Sequence, residues 1–128
     1  MTRARRIRQV VFVEEQQVSP DIEYDKYEDT STHILAEING EAVGTARWRK
    51  TEQGFKLERF AVLADARGRG VGEALVSFIL ARIDPQASIY LNSQVSAIGF
   101  YSRSGFQAEG EVFYEANIPH RKMVYQPK

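Results

Sequence analysis

The hexapeptide Arg67-Gly68-Arg69-Gly70-Val71-Gly72 constrains this chain more than any other stretch. It lies between an apolar run, Leu57 to Leu63, and a periodic apolar segment, Ala74 to Ile83. That order predicts strand, glycine-rich loop and helix. With three alternating glycines, little side-chain bulk stands between the loop's N–H groups and a ligand. The helix begins with donors that have no partner inside it, and its dipole puts partial positive charge at the same end. Arg67 and Arg69 add formal charge. The combination describes a cradle for an anion, best a phosphate or pyrophosphate.

The loop lacks the Gly-Lys-Ser/Thr ending that holds a nucleotide-bound magnesium ion, and its G-x-G-x-G spacing is not the G-x-G-x-x-G of dinucleotide folds. A bare glycine cluster could equally be a helix entry that needs open backbone angles. The two arginines and the strand-to-helix context favour phosphate.

Composition narrows the classes further. The chain has 128 residues, the length of one domain, taken as 1–128. Lys+Arg and Asp+Glu both number 17, which argues against binding driven by neutralising nucleic-acid phosphates. With no cysteine there is no disulfide framework, thiolate metal site or Cys nucleophile. This suits a reducing cytoplasm. No apolar run is long enough to span a membrane, and no H-x-x-x-H or H-E-x-x-H pattern suggests a metal.

Along the chain, Ile7, Val10 and Val11 have helical spacing within a helix from Ala4 to about Gln16, although Val10 to Val13 would also suit a short strand. Val18 to Thr30 is an acidic stretch (Asp21, Glu23, Asp25, Glu28, Asp29) interleaved with Tyr24 and Tyr27. It reads as a solvated loop or as a flap whose acids attract a cationic amine. Thr32–Ile38, the turn Asn39-Gly40, Ala42–Arg49, a turn at Gly54 and Phe55–Leu63 form a three-stranded meander. The helix after the loop presents Val71, Leu75, Phe78, Ile79 and Ile83 on one face, and Asp84-Pro85 stops it. Ser88–Asn92 is a strand parallel to 55–63. Ser96–Arg103 is a helix ended by Gly105, and 106–114 with 122–125 forms a closing antiparallel pair.

The glycine loop matches the Gln/Arg-x-x-Gly-x-Gly/Ala signature of the GNAT N-acetyltransferase superfamily. Gln94 to Phe106 resembles that family's "A…FY…GF" segment, and Glu115-Ala116-Asn117-Ile118-Pro119-His120 looks like the tail of its small ElaA-like or YjcF-like branch. The resemblance runs from about Val10 to Met123. It implies an α/β (α+β) fold with a mixed sheet: a central antiparallel meander, one parallel strand pair, and helices on both faces. The family's first strand has almost no chain left here. It is expected to be absent, supplied by a partner in a homodimer, or lost by truncation.

The resemblance also implies acetyl-CoA as cosubstrate, without metal, held by Phe60, Ala61, Val62, Arg67, Gly68, Arg69, Gly70, Val71, Gly72, Gln94, Ala97, Phe100 and Arg103. The chain has neither a nucleophile elbow nor a cysteine, so direct attack of a small primary amine on the thioester is the simplest route. Backbone N–H groups around Phe60 to Val62 would meet the oxyanion. By the family pattern Tyr101 is the general acid, although as residue types Phe100 and Tyr101 could equally be core aromatics. His120 is the general base, or else braces the closing strand; Glu58 is the alternative base. Tyr24 and Arg59 are candidate substrate residues, and His33 is structural. The rival function is a CoA-binding module without catalysis, which needs neither Tyr101 nor His120.

Overall fold

The computed structural model describes residues 2–19 and 25–126. A six-stranded sheet runs in the order β1-β2-β3-β4-β6-β5, with β1 Thr32–Ile38, β2 Glu41–Thr51, β3 Gly54–Val62, β4 Ile89–Gln94, β5 Phe106–Glu115 and β6 Ile118–Tyr125. Every pair is antiparallel except β3 with β4. The expected meander and parallel pair are both present. Asn39 (φ 53°) and Gly40 (φ 83°) make the first hairpin, as a two-residue turn of that composition requires.

The helices divide between the two faces. Helix α1, Arg3–Arg8, continues as a π-helix over Gln9–Glu15. It sets Ile7 and Val11 against Ala61, with Leu35 and Leu63 alongside. On the other face α2, Val71–Leu80, and α3, Ile98–Arg103, close the main core around Leu57, Leu75, Ile79, Leu91 and Met123. No strand precedes α1 among the described residues.

Three expectations change in detail. Helix α2 ends at Leu80, short of Ile83. Phe78 is 42% exposed, with the Arg82 guanidinium 3.2 Å from its ring centre, while Val76 takes the buried place. At 3.6 residues per turn, Phe78 falls beside the stripe that Val71, Leu75 and Ile79 define. The last strand starts at Ile118 and not at 122, and it inserts between β4 and β5. Pro119 does not bar this, because pairing with β4 begins one residue later, at His120↔Gln94.

Candidate active site

The site is built around an irregularity in β3. Arg47 faces Glu58 and Thr45 faces Ala61, so two steps along β2 oppose three along β3. The extra residue is accommodated at Arg59, whose φ is +59°. This is a β-bulge, which bends its strand and shifts the phase of its side chains. Before it, Phe55 and Leu57 face the main core; after it, Phe60 and Val62 do, and Ala61 turns to α1.

Bending β3 separates it from β4. Their pairing is limited to Phe55↔Ile89, Lys56↔Tyr90 and Leu57↔Leu91. Beyond that the strands part around a cavity of about 620 Å³, bounded by Glu58 to Val62 on one side and Asn92, Ser93 and Gln94 on the other. Leu63 donates its N–H to Val43 of β2 (2.8 Å). By the alternation of a strand, the N–H of Val62 therefore points into the cleft.

The glycine loop opens beside it. Gly68 and Gly70 both have φ of +79°, and a Cβ added to either would meet nothing within 4 Å. The amides of Gly68, Arg69, Gly70, Val71 and Gly72 form no hydrogen bond to any described residue, and no side chain caps α2. Gly72 is needed for another reason: its Cβ would stand 2.9 Å from the Phe100 ring. Phe100 thus packs α3 against the start of α2, and Arg103 lies over the same ring at 6.0 Å. Neither lines the cavity, whereas Phe60, Ala61, Val62, Arg67, Gln94 and Ala97 do.

Arg69 is exposed, but Arg67 is engaged. Its Nε donates to the Val62 carbonyl (2.9 Å), and its terminal nitrogen reaches both Glu15 oxygens (3.1 and 2.9 Å). The side chain therefore straps the end of β3 to the first helix, with Glu15 balancing its charge. Gln94 similarly donates to Gln16 (2.9 Å).

Tyr101 lines the cavity from α3 and is 8% exposed, set edge-on among Phe60, Phe100 and Phe106. Its hydroxyl bonds to no described residue. Burial pushes its phenol pKa well above the usual value, so the group stays protonated.

His120, on β6, also lines the cavity and is 8% exposed. Its Nδ1 sits 2.7 Å from the Ile118 carbonyl. A carbonyl can only accept, so Nδ1 carries the proton, and the neutral ring keeps its lone pair on Nε2. Glu115 lies 3.9 Å from that nitrogen. The turn joining β5 to β6 places Ala116 (φ 50°) and Asn117 (φ 64°) in the left-handed region that Asn tolerates.

Glu58 is in a different situation. One oxygen lies 2.9 Å from Arg47 and 2.6 Å from Arg49, and the other 3.3 Å from Lys56. Burial raises its carboxyl pKa, but Arg47, Arg49 and Lys56 outweigh that and hold it below the ordinary carboxylate range. Two acids of the 18–30 stretch, Asp25 and Glu28, are likewise engaged by cations; Asp29 is exposed, and Asp21 and Glu23 lie outside the described residues. Asp25 pairs with Arg47 (2.7 Å) and Arg59 (3.3 Å), and Glu28 with Arg8 (2.6 Å) and Arg47 (3.4 Å). Arg8 and Arg47 are fully buried, so these carboxylates act as internal counterions. Tyr24 lies outside the described residues. His33 bonds the Glu28 carbonyl (2.7 Å), a bracing role. Among the described residues no three His, Cys, Asp or Glu gather as a metal site, and no helix is long and apolar enough to cross a membrane.

Arg47, Arg49 and Lys56 escaped the sequence reading. Their signal was available: Arg47 and Arg49 alternate along one strand and face Glu58 and Lys56 of the next, so all four share a sheet face.

Known proteins resemble this chain in sequence and in fold. The family model described as an acetyltransferase (GNAT) domain matches residues 8–127. The uncharacterized N-acetyltransferase YjcF of Bacillus subtilis is 38% identical over 121 residues, covering 92% of this chain and 86% of that protein. Among solved structures, Escherichia coli ElaA superposes with a TM-score of 0.83 at 31% identity, covering 94% of this chain and 86% of the other. An acyl-CoA N-acyltransferase from Pseudomonas aeruginosa gives 0.82 at 29% identity with the same coverage.

Proposed function

The chain belongs to the GNAT acetyltransferase family, in which use of acetyl-CoA is typical, and on that premise we propose that it moves the acetyl group of acetyl-CoA onto a small primary amine by direct attack. The observation that carries the donor side is the row of unbonded amides from Gly68 to Gly72 at the mouth of α2, beside the gap between β3 and β4. Those amides and the helix dipole receive the diphosphate. Arg69 lends charge at the surface, and Arg67 holds the loop to β3. The pantetheine arm enters the gap and pairs with the free edge of β3 as a strand would.

The thioester carbonyl then lies against N–H groups that the stretch around Phe60 to Val62 turns to the cleft, that of Val62 among them, which stabilise the oxyanion as it forms. His120 takes the proton of the attacking ammonium on Nε2. Glu58 is the weaker candidate, because three cations occupy its carboxylate and hold it in the charged, feebly basic form. Tyr101 offers its hydroxyl to the departing sulfur. With its pKa raised above that of a thiol, it serves chiefly as a hydrogen-bond donor while the sulfur gains charge.

An amine panel read by free-thiol release tests this. Amine-dependent thiol release is expected. Binding of acetyl-CoA, seen as a rise in Tm, without thiol release from any amine would leave only a CoA-binding module.

A further inference from the structure

We infer that the acceptor in the reaction proposed above is an amine that also carries an anionic oxygen group, a carboxylate or a phosphate, and that Arg49 and Lys56 hold that group. The inference rests on the acetyl-transfer reading. Arg49 of β2 and Lys56 of β3 are direct cross-strand partners, and both line the cavity. Their side chains are 15% and 18% exposed, so each charge is largely withdrawn from water. Like charges directly opposite one another on a sheet repel.

Negative charge nearby is scarce. Glu58 serves both cations and is also shared with fully buried Arg47. Among the described residues no other carboxylate lies within ion-pair distance of Arg49 or Lys56. The remaining acids of the cavity face other partners: Asp25 meets Arg47 and Arg59, Glu15 meets Arg67, and Glu115 meets His120. A withdrawn cation short of counterions is costly, and a bound anion supplies what is missing.

Geometry favours an oxygen anion. The Arg49 guanidinium lies over the Tyr27 ring at 3.6 Å, which fixes its plane. Among the described residues only its Nε is used, on Glu58. The two terminal nitrogens remain for a planar, two-point contact. Lys56 precedes Phe60 by four residues, at most roughly 13 Å of strand and less across the bulge at Arg59. Its own side chain spans part of that distance, so a small acceptor with amine and anion several bonds apart fits the span. A polyamine would place more positive charge against Arg49 and Lys56.

The test compares amines on one carbon skeleton: an aminocarboxylate, its carboxamide, the aminoalkyl phosphate and the diamine. Thiol release from acetyl-CoA is measured with the wild type, Lys56→Met and Lys56→Arg. The expected result is kcat/KM at least tenfold higher for an anionic member than for the carboxamide or diamine. That ratio should fall to near one in Lys56→Met and survive in Lys56→Arg; the better anion identifies carboxylate or phosphate. A preference for diamine or carboxamide, or loss of the ratio in both variants, overturns the inference while acetyl transfer stands. If no amine is acetylated, the acetyl-transfer reading fails, and the Tm of the CoA-loaded protein decides the anion site. Stabilisation by the N-acetyl aminocarboxylate but not its carboxamide, lost in Lys56→Met, supports the site. Equal or absent stabilisation removes it.

Discussion

Replacing Gly70 by Ala separates what the loop does for the fold from what it does for the ligand. Gly70 has φ of +79° as the residue capping α2. An L-residue forced into the left-handed region costs about 1–2 kcal/mol. Nothing lies within 4 Å of the added methyl, so no steric clash adds to that cost. For a chain of 128 residues the cost is a drop of about 3–10 °C in the Tm of the ligand-free protein. On the proposed mode of donor binding, the same methyl stands where the diphosphate approaches the amides. Losing one hydrogen bond to a charged group is worth about 1.5–3 kcal/mol, a ten- to hundredfold weaker Kd.

A thermal melt across an acetyl-CoA titration reads both effects, since a ligand raises stability by RT ln(1 + [L]/Kd). Gly72→Ala is the control. Its methyl meets the Phe100 ring at 2.9 Å, so its main loss is in packing. If Gly70→Ala lowers the ligand-free Tm yet shows the same acetyl-CoA increment as the wild type, the diphosphate is not held by these amides.

Tyr101→Phe keeps all three edge-on ring contacts, so its Tm should stay within a few degrees of wild type while kcat falls about a hundredfold with little change in acetyl-CoA affinity; equal loss of kcat and affinity would mean a packing role. His120→Gln should slow turnover about ten- to a hundredfold at neutral pH, and the deficit should shrink at high pH, where the acceptor is already deprotonated; a constant deficit would argue against proton removal by this ring. The carboxyls of Asp25, Glu28 and Glu58 are all held below their ordinary values, because arginines and Lys56 outweigh burial. A carboxyl lowered in the folded state contributes stability above its unfolded value and loses it as pH falls through the folded one. The Tm should therefore hold above about pH 4.5 and decline below it. Glu58→Gln should flatten part of that decline while costing about 3 kcal/mol at neutral pH, because Arg47, Arg49 and Lys56 lose their shared partner; an unchanged acid melt would refute the counterion role.

The regular elements were legible because each carries a local signal: the apolar run in β3, Asn39-Gly40 and Gly54 at the turns between β1, β2 and β3, and the glycines before α2. Tyr101 and His120 were reachable through motif resemblance, and both do line the cavity. What stayed hidden depends on partners distant in sequence. Nothing local marks Arg59 for a positive φ, since arginine has no preference for it; the bulge exists because β2 and β3 pair as they do. Arg67 reads as a phosphate ligand until Glu15, far away in the chain, is placed beside it. Asp25 and Glu28 look like surface charge until the buried arginines they neutralise are known.

One surplus residue in β3 also sets a rule for altering this protein. Deleting a single position between Glu58 and Phe60 would restore the strand's rhythm and let its end zip onto β4. Phe60 and Ala61 would keep their sides, but the gap beside them would fill with ordinary ladder bonds. The enzyme's opening is a stretch of pairing withheld, and a more regular sheet would be a closed one.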